Sequence, residues 1–151
     1  MPPRYYFDTS VFGGVFDAEF EHESLQLFDL VQSGQIICLL SEVTESELIN
    51  APEHIRQFVL GLNSRAIERV KTITESIILA ETYIAEKVVG ATSRDDCLHI
   101  ATATVYASDA LLSWNFKHIV NEQRIKGYNC INLRLGYKEL DIFSPKTILK
   151  R

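Results

Sequence analysis

Short apolar runs alternate along this chain with longer segments of helical periodicity, and this alternation limits the possible folds more than any other feature. The runs are YYF at 5–7, IICLL at 36–40, ALLS at 110–113 and CINL at 130–133, with VKTI at 70–73 as a candidate edge strand. Short apolar runs of this kind are typical of strands that are buried on both faces. Strands that alternate with helices predict an α/β sandwich built on a mainly parallel sheet.

The helical segments are marked by apolar spacing, capping residues and glycines. We predict helices within 17–34, 42–50, 53–62, 75–90, 94–108 and 115–127. The predicted N-terminal caps are Ser41, Asn50 and Ser93, and the predicted helix ends are Gly34, Gly90 and Gly127. The segment 94–108 is rich in alanine and apolar on most sides, so we expect it to lie between the sheet and other helices.

Length and composition indicate one globular domain over residues 1–151. The 151 residues are 46% apolar and 23% charged, which suits an ordinary folded domain. There is no apolar run of about 20 residues and no signal-peptide pattern, so we expect a soluble, cytoplasmic protein without a membrane partner. The cysteines Cys38, Cys97 and Cys130 form no CxxC pair, which argues against a zinc ribbon and favours buried thiols.

The charge is unevenly distributed. The net charge is −5, with 7 basic and 16 acidic residues in 1–100 against 8 and 4 in 101–151. The acidic excess argues against strong unspecific binding to nucleic acid, which depends on phosphate neutralisation. The basic last third could face a phosphate backbone, or could simply keep the surface soluble.

Three acids and one amide stand where the predicted strands end or the next helices begin. Asp8 follows strand 5–7, and Asn115 follows strand 110–113. Glu47 lies within two turns of the start of the helix after 36–40, and Asp96 lies in the first turn of the helix after Ser93. Since ligands bind beyond the carboxyl ends of parallel strands, we expect these side chains near one rim, Asp96 included if its helix has the same orientation.

Such a cluster has a chemical use and also simpler explanations. Carboxylates a few ångström apart repel one another unless protons or a cation intervene, and oxygen ligands suit Mg²⁺ or Mn²⁺. A metal held in this way can activate water towards a phosphodiester. Taken singly, Asp8 could form an Asx-turn, Thr44-x-x-Glu47 and Ser93-x-x-Asp96 fit capping boxes, and Asn115 suits an N-cap.

The motifs resemble those of the PIN-domain nuclease family, and within it the VapC-like toxins of bacterial and archaeal toxin–antitoxin pairs. FDTSVF resembles the family's opening strand, with Asp8 as the first metal-binding acid and Thr9 and Ser10 as the hydroxyls that often follow it. SEVTESEL is similar to the family's Thr-x-x-Glu-Leu element and carries the second acid onto Glu47. DDCLHIATA is similar to the Asp-Ala-Leu-Ile-Ala-x-Ala helix and carries the third acid onto Asp96.

The fourth motif, ALLSWNFKHIVN, resembles the family's final strand and turn, so that the likeness covers about residues 5–133. Many members have a fourth Asp in this turn, where the present chain has Asn115, and Ser113 just before it is a further candidate. An amide oxygen can bind a metal or its water but brings one negative charge fewer. The amide is therefore expected to affect the binding of a second metal ion more than the binding of the first.

The resemblance implies a three-layer α/β/α fold and a Mg²⁺- or Mn²⁺-dependent endoribonuclease. Asp8, Glu47 and Asp96 would hold the metal and Asn115 would complete the site. Toxin members commonly cleave structured RNA such as tRNA or rRNA, often dimerise, and are held inactive by a small antitoxin. The alternative is a catalytically weak PIN-like module that binds RNA or a protein partner. A phosphatase of the haloacid-dehalogenase type would need a second Asp at the position of Ser10.

Neighbouring side chains have less pronounced roles in this interpretation. Glu45 and Asp95 point away from the chosen acids and are expected to be solvated. His99 shares the helix face of Asp96, and a hydrogen-bonded core histidine is the favoured interpretation over a general base. Trp114 is expected in the core, with stacking on a base as the alternative. Lys117 and His118 could touch a phosphate but more simply begin a solvated helix.

Overall fold

Five short strands and eight α-helices make up the described part of the chain, which is residues 1–89 and 94–151 of the computed structural model. The strands are β1 Arg4–Phe7, β2 Ile37–Ser41, β3 Ile67–Val70, β4 Ala110–Leu112 and β5 Ile142–Phe143. The helices are α1 Thr9–Gly14, α2 Glu21–Gln32, α3 Glu42–Ile49, α4 Glu53–Leu60, α5 Thr74–Ala85, α6 Arg94–Val105, α7 Glu122–Arg134 and α8 Pro145–Leu149. None of these helices is long and apolar enough to cross a membrane.

The sheet is parallel throughout, in the order β3-β2-β1-β4-β5. Tyr6 at the centre pairs with Leu39 of β2 on one side and with Leu111 of β4 on the other. The chain therefore builds outwards from β1 to β3, crosses over, and continues on the other side of β1. The gap between the ends of β1 and β4 is the topological switch point, where α/β sheets bind ligands.

Helices cover both faces of the sheet, because successive side chains of a buried strand point to opposite sides. Tyr6 packs into a core formed with α5, α6 and α7. Its neighbour Phe7 packs into a second core formed with α1, α2, α4 and α8. The helix, sheet and helix layers are the three layers that the resemblance implies.

Several sequence predictions are confirmed. The strands at 5–7, 36–40 and 110–113 are present within a residue of their predicted bounds. Ser41 caps α3, since its Oγ accepts a hydrogen bond from the backbone N–H of Thr44 at 3.1 Å. Gly34 follows α2 with a positive φ of 76°, a conformation that glycine adopts without strain. Eight consecutive residues of α6, from 97 to 104, are buried, as expected for a helix packed on several sides.

The predicted last strand at 130–133 is wrong, because CINL belongs to α7. That helix begins at Glu122 instead of 115, since the side chain of Asn121 caps it by accepting from the N–H of Arg124. Gly127 does not end the helix but lies inside it, where a Cβ atom would come 2.6 Å from Val88 Cγ1. A four-residue apolar run does not by itself distinguish a strand from a buried helix turn. The last strand is β5, in the tail that the sequence left unassigned.

Smaller corrections concern boundaries and caps. The edge strand at 70–73 is wrong in position, since β3 ends at Val70. Asn50 is not the cap of α4: it directly follows α3, and Pro52 precedes α4 without a side-chain hydrogen bond. Cys130 is exposed, unlike the buried Cys38 and Cys97, because it lies on an outer position of α7. The predicted roles of Gly90 and Ser93 fall outside the described residues.

Candidate active site

Asp8 is the buried centre of the predicted rim. It directly follows β1, is 5% exposed, and caps the short helix α1, which the sequence did not predict. Its Oδ2 accepts hydrogen bonds from the hydroxyls of Ser10 at 2.7 Å and Ser113 at 2.9 Å, and from the Ser10 N–H at 3.4 Å. Three neutral donors thus fix one carboxylate oxygen. Asp8 therefore caps α1 and also belongs to the cluster of acids.

The same two hydroxyls join the ends of β1 and β4. Ser10 Oγ accepts from the backbone N–H of Trp114, and Ser113 Oγ accepts from the N–H of Asn115, both at 2.9 Å. Each hydroxyl therefore accepts from the segment after β4 and donates to Asp8. This bridge holds the switch point together and sets the orientation of the buried carboxylate.

Glu47 reaches the rim from α3. Its Oε1 accepts from Thr9 Oγ1 at 2.7 Å and lies 2.5 Å from His99 Nε2. Burial works to raise the pKa of Glu47, but the hydrogen bond and charge of His99, with the bond from Thr9, bring that pKa below its usual value. Glu47 is therefore held in its ionised form at the rim.

His99 is the residue whose part sequence reasoning underestimated. It is 1% exposed, and its Nε2 lies 2.5 Å from Glu47 and 3.5 Å from Asp8 Oδ1. Its Nδ1 shares a 2.5 Å hydrogen bond with the hydroxyl of Tyr6. Burial acts to lower the pKa of His99, but the hydrogen bond that it donates to Glu47 and the charges of Asp8, Glu47 and Asp96 raise that pKa above its usual value. The prediction of a hydrogen-bonded core histidine is confirmed. Its position one turn after Asp96 was the available signal that it also reaches the acids.

Asp96 lies in the first turn of α6 and is partly buried. Its pKa is raised, first by burial and then by the negative charge of Asp8, with a smaller contribution from Glu47. His99 and His118 act in the opposite direction. The three predicted acids therefore share one electrostatic environment, as expected if α6 begins at the carboxyl edge of the sheet.

Asn115 is tied to the site only indirectly. Its side-chain oxygen accepts from the N–H of His118 at 2.9 Å, which caps the turn after β4. Its backbone N–H bonds Ser113, and Ser113 in turn donates to Asp8. Asn115 therefore caps a turn and not the helix for which it was predicted, which begins after Asn121.

The acids that were set aside, Glu45 and Asp95, are open to solvent. Glu45 forms an exposed ion pair with Arg69 at 2.8 Å. Asp95 is exposed and, together with Glu47, lines a cavity of about 230 Å³ beside the rim.

The donor set fits a hard divalent cation, although the side chains are not gathered around one. Within residues 1–89 and 94–151, no three His, Cys, Asp or Glu side chains are placed to hold a metal ion as they stand. The oxygen of Glu47 is engaged by His99 and Thr9 instead. Burial and, after it, the negative charge of Asp8 raise the pKa of Asp96, and carboxylate oxygens that repel one another are suitable ligands for Mg²⁺ or Mn²⁺.

A parallel sheet between helix layers, with buried and partly buried carboxylates at its switch point, defines the class of α/β proteins that bind ligands at this edge. No protein-family model and no curated protein matches the chain. Solved structures do match it. A chain of VapBC2 from Rickettsia felis, bound to a DNA fragment from their promoter, is 12% identical with a TM-score of 0.60, over 93% of the present chain and 98% of that one.

Two further structures agree. A chain of DNA-bound VapBC from Salmonella typhimurium is 18% identical with a TM-score of 0.56, over 95% of the present chain and 98% of that one. A chain of FitAB bound to the IR36 DNA fragment is 13% identical with a TM-score of 0.58, over 93% and 94%. At these identities the likeness shows the fold. The predicted three-layer α/β/α sandwich around a mainly parallel sheet is confirmed.

Proposed function

We propose that this chain is a Mg²⁺- or Mn²⁺-dependent endoribonuclease of the PIN-domain family, the VapC-like toxin of a toxin–antitoxin pair. The observation that carries the proposal is that His99 Nε2 lies 2.5 Å from Glu47 Oε1 and 3.5 Å from Asp8 Oδ1, with Asp96 one turn before it on α6. The motif resemblance places the same three acids as metal ligands. The fold shared with VapBC and FitAB chains supports it independently of those motifs.

Some residues of the rim would bind the cation, and others orient the carboxylates that bind it. Asp8, Glu47 and Asp96 would hold the cation, which when bound supplies an activated water and neutralises charge that develops on the phosphodiester. Ser10 and Ser113 fix Oδ2 of Asp8. His99 is buried beneath the acids and bonded to Glu47, so it acts as a positioning residue.

The proposed partners follow from the same assignment. The substrate is RNA, with tRNA and rRNA as the first candidates, so the site of action is the cytoplasm. We propose a homodimer and a small antitoxin as protein partners. The VapBC and FitAB names of the matched structures support a second protein component.

A binding module without strong catalysis is the second candidate, and two observations favour it. The side-chain oxygen of Asn115 caps a turn, and Oε1 of Glu47 bonds His99. Both groups would have to change partners to take part in metal chemistry. Metal-independent RNA binding without cleavage would identify this candidate.

The test is cleavage of total tRNA and rRNA by wild type, Asp8→Asn and a control, Asp29→Asn, whose side chain lies exposed on α2. We expect discrete products with Mg²⁺ or Mn²⁺ and none with EDTA. Asp8→Asn should be slower by more than about 100-fold, because even the outer-shell partners of metal ligands are worth about 10- to 100-fold. Cleavage that persists in EDTA, or equally in Asp8→Asn, would refute the metal-dependent nuclease.

A further inference from the structure

An aromatic stack lies beside the acid rim, the edge of the sheet that carries Asp8, Glu47 and Asp96. Trp114 stacks on Phe20 with ring centroids 4.3 Å apart and planes 15° from parallel. Trp114 is only 7% exposed, and its Nε1 donates to Ser24 Oγ at 2.9 Å. The prediction of a core tryptophan is confirmed. One face of Trp114 is covered by Phe20, so this ring is a support and not itself an open surface.

Phe116 lies at the surface beside this stacked pair, with its ring tilted against both. Its ring lies 6.2 Å from Trp114 and 6.4 Å from Phe20, yet the residue is 51% exposed. The backbone N–H of Phe116 donates to the carbonyl of Trp114 at 3.0 Å, which holds the residue in a tight turn. An exposed aromatic ring is thus supported from behind by two others and fixed by its backbone.

The turn that carries Phe116 runs along the rim. At its start, Trp114 N–H bonds Ser10 Oγ, which donates to Asp8. One residue on, the N–H of Asn115 bonds Ser113 Oγ, which also donates to Asp8. Phe116 therefore directly follows two residues whose backbone N–H groups are joined to Asp8 through a serine hydroxyl.

The charge of this segment suits a polyanion. Residues 113–126 contain three basic side chains, Lys117, Arg124 and Lys126, against the single acid Glu122, although the whole chain has a net charge of −5. Lys117 is exposed next to Phe116, and Arg124 bonds Nδ1 of His118 at 2.9 Å. One cationic side chain thus adjoins an open aromatic ring and a second bonds the same turn, and proteins bind single-stranded nucleic acid with this combination of charge and aromatic surface.

We propose that Phe116 is a stacking platform for an unpaired nucleobase of the RNA, next to the phosphodiester that faces the acid rim. This inference rests on the proposed ribonuclease function and adds to it a residue that would contact the RNA at an unpaired position. Every base offers a π face, so the platform selects unpaired structure instead of sequence. A base in a duplex is already stacked on both sides and cannot use the ring.

The experiment measures binding of a labelled single-stranded RNA by fluorescence anisotropy in EDTA, where the proposed cleavage is switched off. Phe116→Ala should weaken binding by roughly 5- to 150-fold, the range of one base–aromatic stack. Phe116→Tyr should bind like wild type. Phe116→Leu should bind weakly although it keeps an apolar side chain of similar reach. The matched control is Phe16→Ala, since Phe16 is 47% exposed and packs edge-on against His54 on α4.

A set of RNAs with one abasic position each distinguishes stacking from a general loss of affinity. With wild type, one abasic position should weaken binding as much as Phe116→Ala does. With Phe116→Ala, that position should have no further effect.

The outcomes separate the two proposals. Wild-type affinity in Phe116→Ala overturns the platform, whether or not RNA is cleaved, and leaves the ring as a surface for a protein partner. Equal binding of duplex and single-stranded RNA overturns it as well. Loss of binding in Phe116→Ala and Phe116→Leu, with rescue by Tyr, supports the platform. If Phe116 is required for binding but wild type shows no metal-dependent cleavage, the stacking proposal is supported and the nuclease proposal is refuted.

Discussion

At the scale of single residues, the candidate site shows where a sequence pattern is informative. The position of Asp8 was predictable, because an acid that directly follows a parallel strand lies at the carboxyl edge of the sheet. His99 was predictable as buried but not as a partner of Glu47, because a side-chain contact between α6 and α3 joins residues 52 positions apart in sequence. Asn115 was weighed as the cap of a helix, but its oxygen caps the turn after β4, and Asn121 caps the helix that follows.

Gly13 and Gly14, which follow the first strand, differ in the space available for a side chain. A Cβ atom at Gly14 would lie 2.6 Å from Ser24 Oγ and 2.7 Å from Trp114 Nε1, whereas a Cβ at Gly13 would meet only Ile55 Cδ1 at 3.9 Å. Gly14 is thus the residue that lets the tryptophan approach α1 closely, and its neighbour has no such constraint.

We therefore predict opposite effects of two alanine substitutions. Gly14→Ala should lower the free energy of unfolding by about 1–3 kcal/mol, the usual cost of overpacking, and shift the Trp114 emission spectrum. Gly13→Ala should be neutral or stabilising by up to about 1 kcal/mol, because alanine is the better helix former. Chemical denaturation followed by fluorescence measures both. Equal changes in the free energy of unfolding for the two substitutions would show that the indole does not require a glycine at position 14.

At the scale of elements, the sequence predicted the central strands better than the periphery. β1, β2 and β4 are apolar on both faces and hence recognisable, whereas β5 is only two residues long. CINL was assigned to the wrong element because a helix turn packed on the sheet is as apolar as a short strand. The helix layers themselves were predictable from capping residues such as Ser41.

The sheet also carries an ion pair that skips a strand. Arg4 of β1 donates from Nε and Nη2 to both carboxylate oxygens of Glu68 on β3, at 2.8 and 2.7 Å. The hydrogen bond from Arg4 lowers the pKa of Glu68, burial opposes it, and the charge of Arg4 adds to the lowering. A lowered folded-state pKa means that this pair stabilises the protein above the ordinary pKa of Glu, and that the stabilisation is lost as the pH falls through the folded value.

Glu68→Gln should accordingly destabilise the protein at neutral pH and have no effect in acid. The expected loss is below about 1 kcal/mol, since the pair is partly exposed and screened by solvent. Urea unfolding at pH 7 and at a pH below the pKa of Glu68 measures the difference. Glu45→Gln, which removes the more exposed pair with Arg69, is the control. A loss that is the same at both pH values would show that the pair does not titrate as described.

At the scale of the whole molecule, the acids and the bases are separated along the chain and meet at one edge of the sheet. The acid rim gathers residues from β1, α3 and α6, whereas the turn after β4 and the start of α7 supply cations and the open aromatic ring. Net charge alone argued against nucleic acid as a partner. The local arrangement favours it, because a cation at the rim would remove the repulsion that the acids impose on a phosphate.

The central claim is that Asp8, Glu47 and Asp96 bind one divalent cation together, and Mn²⁺ binding by calorimetry tests it most directly. We expect wild type to bind Mn²⁺ and to be stabilised against unfolding by it, by about 2.7 kcal/mol at a concentration 100 times the Kd. Asp8→Asn should bind more than about 100-fold more weakly and lose that stabilisation, while Asp29→Asn should match wild type. Equal Mn²⁺ affinity in wild type and Asp8→Asn would contradict the account, because the buried acid at the switch point would then hold no metal.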